Sequence, residues 1–179
     1  MLKMSVEDVI RIMREGIYFE DRLSEWKEYD CSTNCYAFVL GIKAKEDDIC
    51  TNAYWPGNIS KNVMGTENDD FADTVVRLEK QILNDFQALG INYKVFQDVD
   101  KYQYLKELEH PRECWDILLF RNPKTLDYHF ARVGMGGILY HKPGWGYVPR
   151  ITDIEQIENT KSLSNTGFKF EKRYRVNLW

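Results

Sequence analysis

From Phe71 to Leu89, apolar residues return every three or four positions: Phe71, Val75, Leu78, Ile82, Phe86 and Leu89. That spacing lines one face of an α-helix, so a helix is predicted over 68–89, with Gly90 placed to end it. A first amphipathic helix is predicted over 6–14. Ser5, followed three residues later by Asp8, opens it, and Gly16 stops it. Between these two helices the pattern is less regular. Residues 17–29 are mixed and read as irregular chain or a second short helix. The stretch from Cys35 to Leu40 is short and nearly all apolar, a helix buried on most sides, and Gly41 closes it. Residues 43–64 hold no sustained period and read as a long loop carrying Trp55-Pro56-Gly57-Asn58.

After Gly90 the period changes. Residues 91–96 alternate like a strand, and 100–109 read as a further helix ended by Pro111. Trp115-Asp116-Ile117-Leu118-Leu119-Phe120 is a compact strand. Two more follow at 128–133 and 138–141, separated by Gly134-Met135-Gly136-Gly137, a run suited to a hairpin turn. Residues 147–151 add an edge strand, 153–159 a helical turn, and 167–178 a closing strand with alternating Phe168, Phe170, Tyr174 and Val176. Helices come first and an antiparallel sheet follows, so the expected class is α+β. No repeat, low-complexity tract or linker divides the chain, and residues 1–179 read as one domain.

Composition adds limits to this picture. The chain has 179 residues, 44% of them apolar and 29% charged, values ordinary for a folded protein. A net charge of −4 with scattered basic residues argues against a nucleic-acid partner. The N-terminal stretch is amphipathic and is not a signal peptide, and no apolar run approaches the length of a membrane span. Four cysteines at irregular spacing (31, 35, 50 and 114) are too few for a disulfide scaffold, and a reducing, cytoplasmic setting with free thiols is expected. No cofactor is implied, and the oligomeric state is not readable.

Candidate chemistry centres on Asp30-Cys31-Ser32-Thr33-Asn34-Cys35-Tyr36. Asn34 is a good N-cap and puts Cys35 in the first turn of a helix, where free N–H groups and the dipole favour thiolate. A base is then needed. Of the three histidines, His129 and His141 fall on the strands of the predicted hairpin, twelve residues apart. If Gly134-Met135-Gly136 forms a three-residue turn, Val133 pairs with Gly137, and His129 lies opposite His141 on one face. Cys35 would be the nucleophile, His129 its base and His141 the group that orients the base. Asn34, Tyr36, Trp55 and Trp145 are weaker candidates for oxyanion or substrate contacts. Asn34 reads first as a cap, and Tyr36 as packing. Cys50 and Cys114 read as core cysteines, and His110 as solvated loop.

These elements, in this order, resemble the NlpC/P60 papain-like superfamily of cysteine peptidases and amidases. That family pairs an Asp-Cys-Ser-Gly start to the cysteine helix with a Gly-Asp-Leu-hydrophobic-Phe strand. A His-Val-Gly-Ile strand, a glycine turn and a second His complete its pattern. Here stand Asp30-Cys31-Ser32 and Asn34-Cys35-Tyr36-Ala37, then Trp115-Asp116-Ile117-Leu118-Leu119-Phe120, then His129-Phe130-Ala131-Arg132-Val133, then His141. Asn-Cys-Tyr-Ala, Tyr-His-Phe-x-Arg and His-Lys-Pro-Gly together also look like a poorly characterised bacterial branch of papain-like proteins. The resemblance covers roughly 30–41 and 114–146. It implies a papain-like fold with the nucleophile helix packed on an antiparallel sheet. It also implies hydrolysis of an amide or other acyl bond, often in a peptide, through a thioester. The Asp-Cys-Ser match falls on Cys31, which makes Cys31 the alternative nucleophile, and Trp115 stands where the family has Gly. Two other functions remain open: a catalytically silent papain-like binding scaffold, and a zinc site of Cys31, Cys35, His129 and His141.

Overall fold

A computed structural model describes residues 6–16, 23–27, 33–43, 55–57, 59–60, 74–96, 114–125, 127–134, 137–143, 147–160 and 167–177. The predicted helix over 100–109, and with it Cys31, Cys50, His110 and Trp145, lies outside these residues. Helix α1 spans Val6–Gly16, α2 Cys35–Val39 and α3 Thr74–Ala88, with a single tight turn of helix over 23–27. Strands follow as β1 (Asn92–Phe96), β2 (Cys114–Arg121), β3 (Tyr128–Val133), β4 (Leu139–His141) and β5 (Arg150–Thr152). Helix α4 (Ile154–Asn159) and the long strand β6 (Lys169–Asn177) end the series. The class is α+β, as the element order predicts.

All six strands form one sheet in the order β1-β6-β2-β3-β4-β5, and every pair is antiparallel. The closing strand therefore does not lie at an edge. It inserts between β1 and β2, a non-local pairing that no local sequence pattern encodes. Both faces of the sheet are covered. On one, Trp115, Ile117, Leu119, Tyr128, Phe130, Tyr140, Tyr174 and Val176 meet α2 and the apolar stripes of α1 and α3. On the other, Leu118, Phe120, Ala131, Val133 and Leu139 meet Ile154, Ile157 and Phe168. Burial on both sides explains why β2 and β3 read as near-continuous apolar runs instead of clean alternation.

Helix α2 is held at both ends. Asn34 accepts a hydrogen bond from the Ala37 N–H at 2.8 Å through its side chain, the predicted N-cap. At the other end Gly41, with φ of +74°, donates to the Phe38 carbonyl, and the Ile42 N–H reaches back to Ala37, each at 2.9 Å. Those are the two bonds of a Schellman stop, and a side chain at Gly41 would strain them. Trp115 then tethers the helix to the sheet, its Nε1–H donating to the Val39 carbonyl at 3.0 Å. Phe38, fully buried, packs edge-on against Trp26 at 4.9 Å. Burial of one such side chain stabilises by about 1.5–3 kcal/mol, so this short helix stays in place through packing and caps, not propensity.

Candidate active site

Cys35 begins α2, and its thiol is set by three neighbours of different kinds. The backbone N–H groups of Phe130 and Tyr36 point hydrogen bonds at it, and Lys142, fully buried just past the end of β4, adds positive charge. All three favour thiolate. Asp127 opposes them, and desolvation outweighs everything: the thiol is pushed up to about 11. The helix-start expectation of a thiolate is therefore reversed, although the residue keeps part of its surface exposed. A helix of five residues packed against a dry core supplies too little dipole to offset the loss of water.

The histidines meet, in a register other than the predicted one. Val133 pairs with Leu139 and Ala131 with His141, so the hairpin loop spans the five residues 134–138, closed by Gly134 N–H donating to the Ile138 carbonyl at 2.8 Å. His129 is thus two positions away from being opposite His141. A two-residue shift preserves the face, and the rings still converge, Nε2 of His129 lying 2.9 Å from Nδ1 of His141. Arg150 on β5 donates its Nε–H to His141 Nε2 at 3.2 Å. A guanidinium is always a donor, so that nitrogen of His141 must be the acceptor and its Nδ1 must carry the proton. The direction of the pair follows: His141 donates to His129. Burial pushes His129 down to about 3 and His141 down to about 4, with Arg150 adding to both, and both rings are neutral at pH 7.

Strand alternation places these groups on different faces. Tyr128 and Phe130 face α2, whereas His129 sits across from Phe120 and against Phe168, ring centroids 5.7 Å apart, in the second core. Among the described residues no hydrogen bond joins Cys35 to either imidazole. What the thiol does touch is the N–H of Phe130, the amide formed with the carbonyl of His129. Nucleophile and base candidates thus flank one peptide unit of β3.

The weaker candidates divide. Asn34 is spent on its cap. Tyr36 is buried, its ring 5.1 Å from that of Phe130 and its hydroxyl donating to Asp85 at 3.1 Å. Trp55 is half-buried and packs edge-on against Tyr128 at 6.1 Å; burial above all, then the charges of Cys35 and Asp127, raise the Tyr128 hydroxyl. Asp85 is the residue that sequence reading missed. Its carboxylate, fully buried on α3, accepts from Tyr36 Oη and from the backbone N–H groups of Gly57 and Ser60, the latter two at 2.7 Å. The signal was present: Leu78, Ile82, Asp85 and Leu89 share one helix face, so an acid interrupts the apolar stripe. Among the described residues, no three or more His, Cys, Asp or Glu side chains gather as a metal site, and no helix is long and apolar enough to cross a membrane. No protein-family model matches the chain, and no curated protein matches it.

Proposed function

We propose that this protein is a papain-like thiol hydrolase of the NlpC/P60 type, acting on an amide or other acyl bond, peptides included, in a reducing compartment such as the cytoplasm. The observation that carries the reading is the shared peptide unit: the Cys35 thiol rests on the Phe130 N–H, and His129 is the residue before it. The β3–β4 ladder ends at the Ala131–His141 pair, so among the described residues none pairs with His129 on that side. Reaction requires the His129 imidazole to leave its resting place beside Phe168 and swing round this open edge of β3 to the thiol.

The chemistry then runs as follows. When the Arg150 contact to His141 opens and the pair exchanges tautomers, Nδ1 of His129 is freed. It takes the Cys35 proton as sulfur bonds to the substrate carbonyl carbon, and the carbonyl oxygen becomes an oxyanion facing the N–H groups at the start of α2. The imidazolium returns its proton to the leaving amine as the C–N bond breaks, and a thioester remains. Water, deprotonated by the same imidazole, releases the acid and restores the thiol. His141 orients His129 throughout.

A second reading, a catalytically silent papain-like scaffold, is favoured by one specific observation: the resting thiol and imidazole are both neutral and not bonded to one another. Labelling with a thiol-reactive acyl probe separates the two. On the enzyme reading, wild-type protein is acylated and turns over, Cys35→Ala is inert, and Cys31→Ala keeps its labelling. Loss with Cys31→Ala alone moves the nucleophile, and no labelling of wild type leaves the scaffold.

A further inference from the structure

The carboxylate of Asp85 joins three separate parts of the chain. It lies on α3, bonds Tyr36 next to Cys35, and holds the segment 55–57 and the turn at 59–60 through Gly57 and Ser60. Ser60 Oγ donates to the Gly57 carbonyl at 3.0 Å and closes the same loop on itself. Every partner of the carboxylate is a donor. Two ionised oxygens satisfy them all, whereas an amide of the same shape would turn an NH2 group toward one of the N–H groups. Such an arrangement fixes the loop in one position, and Trp55 is carried on it, edge-on to Tyr128, the tyrosine whose hydroxyl feels the charge of Cys35.

We infer that Asp85 is a positioning residue that sets the aromatic wall of the thiol site, so that Cys35 selects reactants carrying an aromatic or flat apolar group beside the reacting carbon. Gly57 belongs to the same device. It has φ of +91°, and a side chain there would meet Gln81 Cγ at 2.9 Å, so the loop lies directly on α3 with no room between. The carboxyl is pushed up to about 6 by burial, against the pull of its donors, which is the cost of placing this acid in the core. The inference rests on Cys35 being the reacting group, as in the proposed function, but not on catalysis.

The test compares alkylation of Cys35 in the full chain by iodoacetamide and by N-benzyl iodoacetamide, with peptide mass spectrometry separating Cys35 from the other cysteines. In wild type the benzyl reagent is favoured by about fivefold over its ratio at free cysteine, the scale of one aromatic contact. Trp55→Ala and Asp85→Asn both reduce the ratio to that of free cysteine, while a merely structural loss would slow or speed both reagents alike. Should Asp85→Asn not fold, Gly57→Ala displaces the loop through its clash with Gln81 while the Asp85 carboxyl group itself is kept, and loses the preference in the same way. An Asp85→Asn protein that keeps the wild-type ratio, a Trp55→Ala protein that keeps it, or a wild-type Cys35 that neither reagent reaches overturns the inference. Alkylation with the benzyl preference but no acyl turnover would instead sink the enzyme reading and leave the wall intact.

Discussion

His141 donates its Nδ1–H to His129 Nε2 across 2.9 Å because Arg150 occupies the acceptor on the far side of its ring. This direction matters. A neutral His129 that accepts at Nε2 carries its proton on Nδ1, so neither nitrogen is free to take another from a thiol. Arg150 therefore holds the histidine pair in its less basic arrangement. Replacing it by Ala frees His141 Nε2 to carry a proton, and the pair can then exchange tautomers. Since Arg150 also lowers both imidazoles, their titrations are expected to rise by about one pH unit in Arg150→Ala. Imidazole NMR reads the shift directly. Arg150→Lys keeps the charge and is expected to move less. An unmoved titration in the alanine variant would remove Arg150 from this role.

Desolvation of Cys35 makes a second expectation sharp. With the thiol pushed up to about 11, alkylation by iodoacetamide at Cys35 increases steeply with pH well beyond 9, where an ordinary cysteine has levelled off. Peptide-resolved rates between pH 7 and 11 measure it. A plateau near or below pH 8 would mean that charge and N–H groups outweigh burial after all. It would also restore the thiolate expected from the helix start.

The elements of this fold could be read from the chain, and their assembly could not. The stripe through Leu78, Ile82 and Leu89, the cap at Asn34 and the stop at Gly41 are local features, and each stands where pattern and capping chemistry place it. Strand β6 was recognisable from Phe170, Tyr174 and Val176, but its seat between β1 and β2 depends on pairing across the whole chain. The hairpin was found with its loop too short by two residues, because glycines at 134, 136 and 137 allow more than one turn.

The candidate site was harder for a different reason. Period two put His129 and His141 on one face, and a slip of two residues left that intact. Which face the cysteine helix covers was not encoded, since Tyr128, Phe130, Ala131 and Val133 make both sides of β3 apolar. Nor did spacing carry the degree of burial that sets the Cys35 thiol. Asp85 was missed because a strong stripe invites reading every position on it as core.

Acid stability follows from three buried groups with opposing signs. His129 and His141 stay neutral down to about 3 and 4, whereas in the unfolded chain they take up protons near pH 6.5. Their contribution is complete above pH 6.5 and is lost as the pH falls below it. Asp85, held up to about 6 against about 3.9 unfolded, does the reverse and adds stability as the pH falls from 6 to 4. Two protons against one leave a net loss of about 1.4 kcal/mol per pH unit over that window. In Asp85→Asn the opposing group is gone, and the loss steepens to roughly twice that slope. Urea unfolding of both proteins between pH 4 and 7 measures the difference. Parallel curves would show that Asp85 titrates alike in the folded and unfolded chains.

The cap of α2 supplies the last expectation. Asn34 satisfies the Ala37 N–H at 2.8 Å and is almost wholly buried, so water cannot replace it. Asn34→Ala is expected to cost about 1–2 kcal/mol of stability, the upper part of the capping range, while Asn34→Asp retains an acceptor and costs less. The consequence for the site is separable from stability. With the first turn loosened, the Tyr36 N–H no longer points steadily at the thiol, and one of the groups lowering its pKa is lost. The alkylation profile of Cys35 in Asn34→Ala should therefore shift to still higher pH under conditions where the protein remains folded. A shift the other way would mean that the cap holds the thiol in the dry core, and that its loss lets water in.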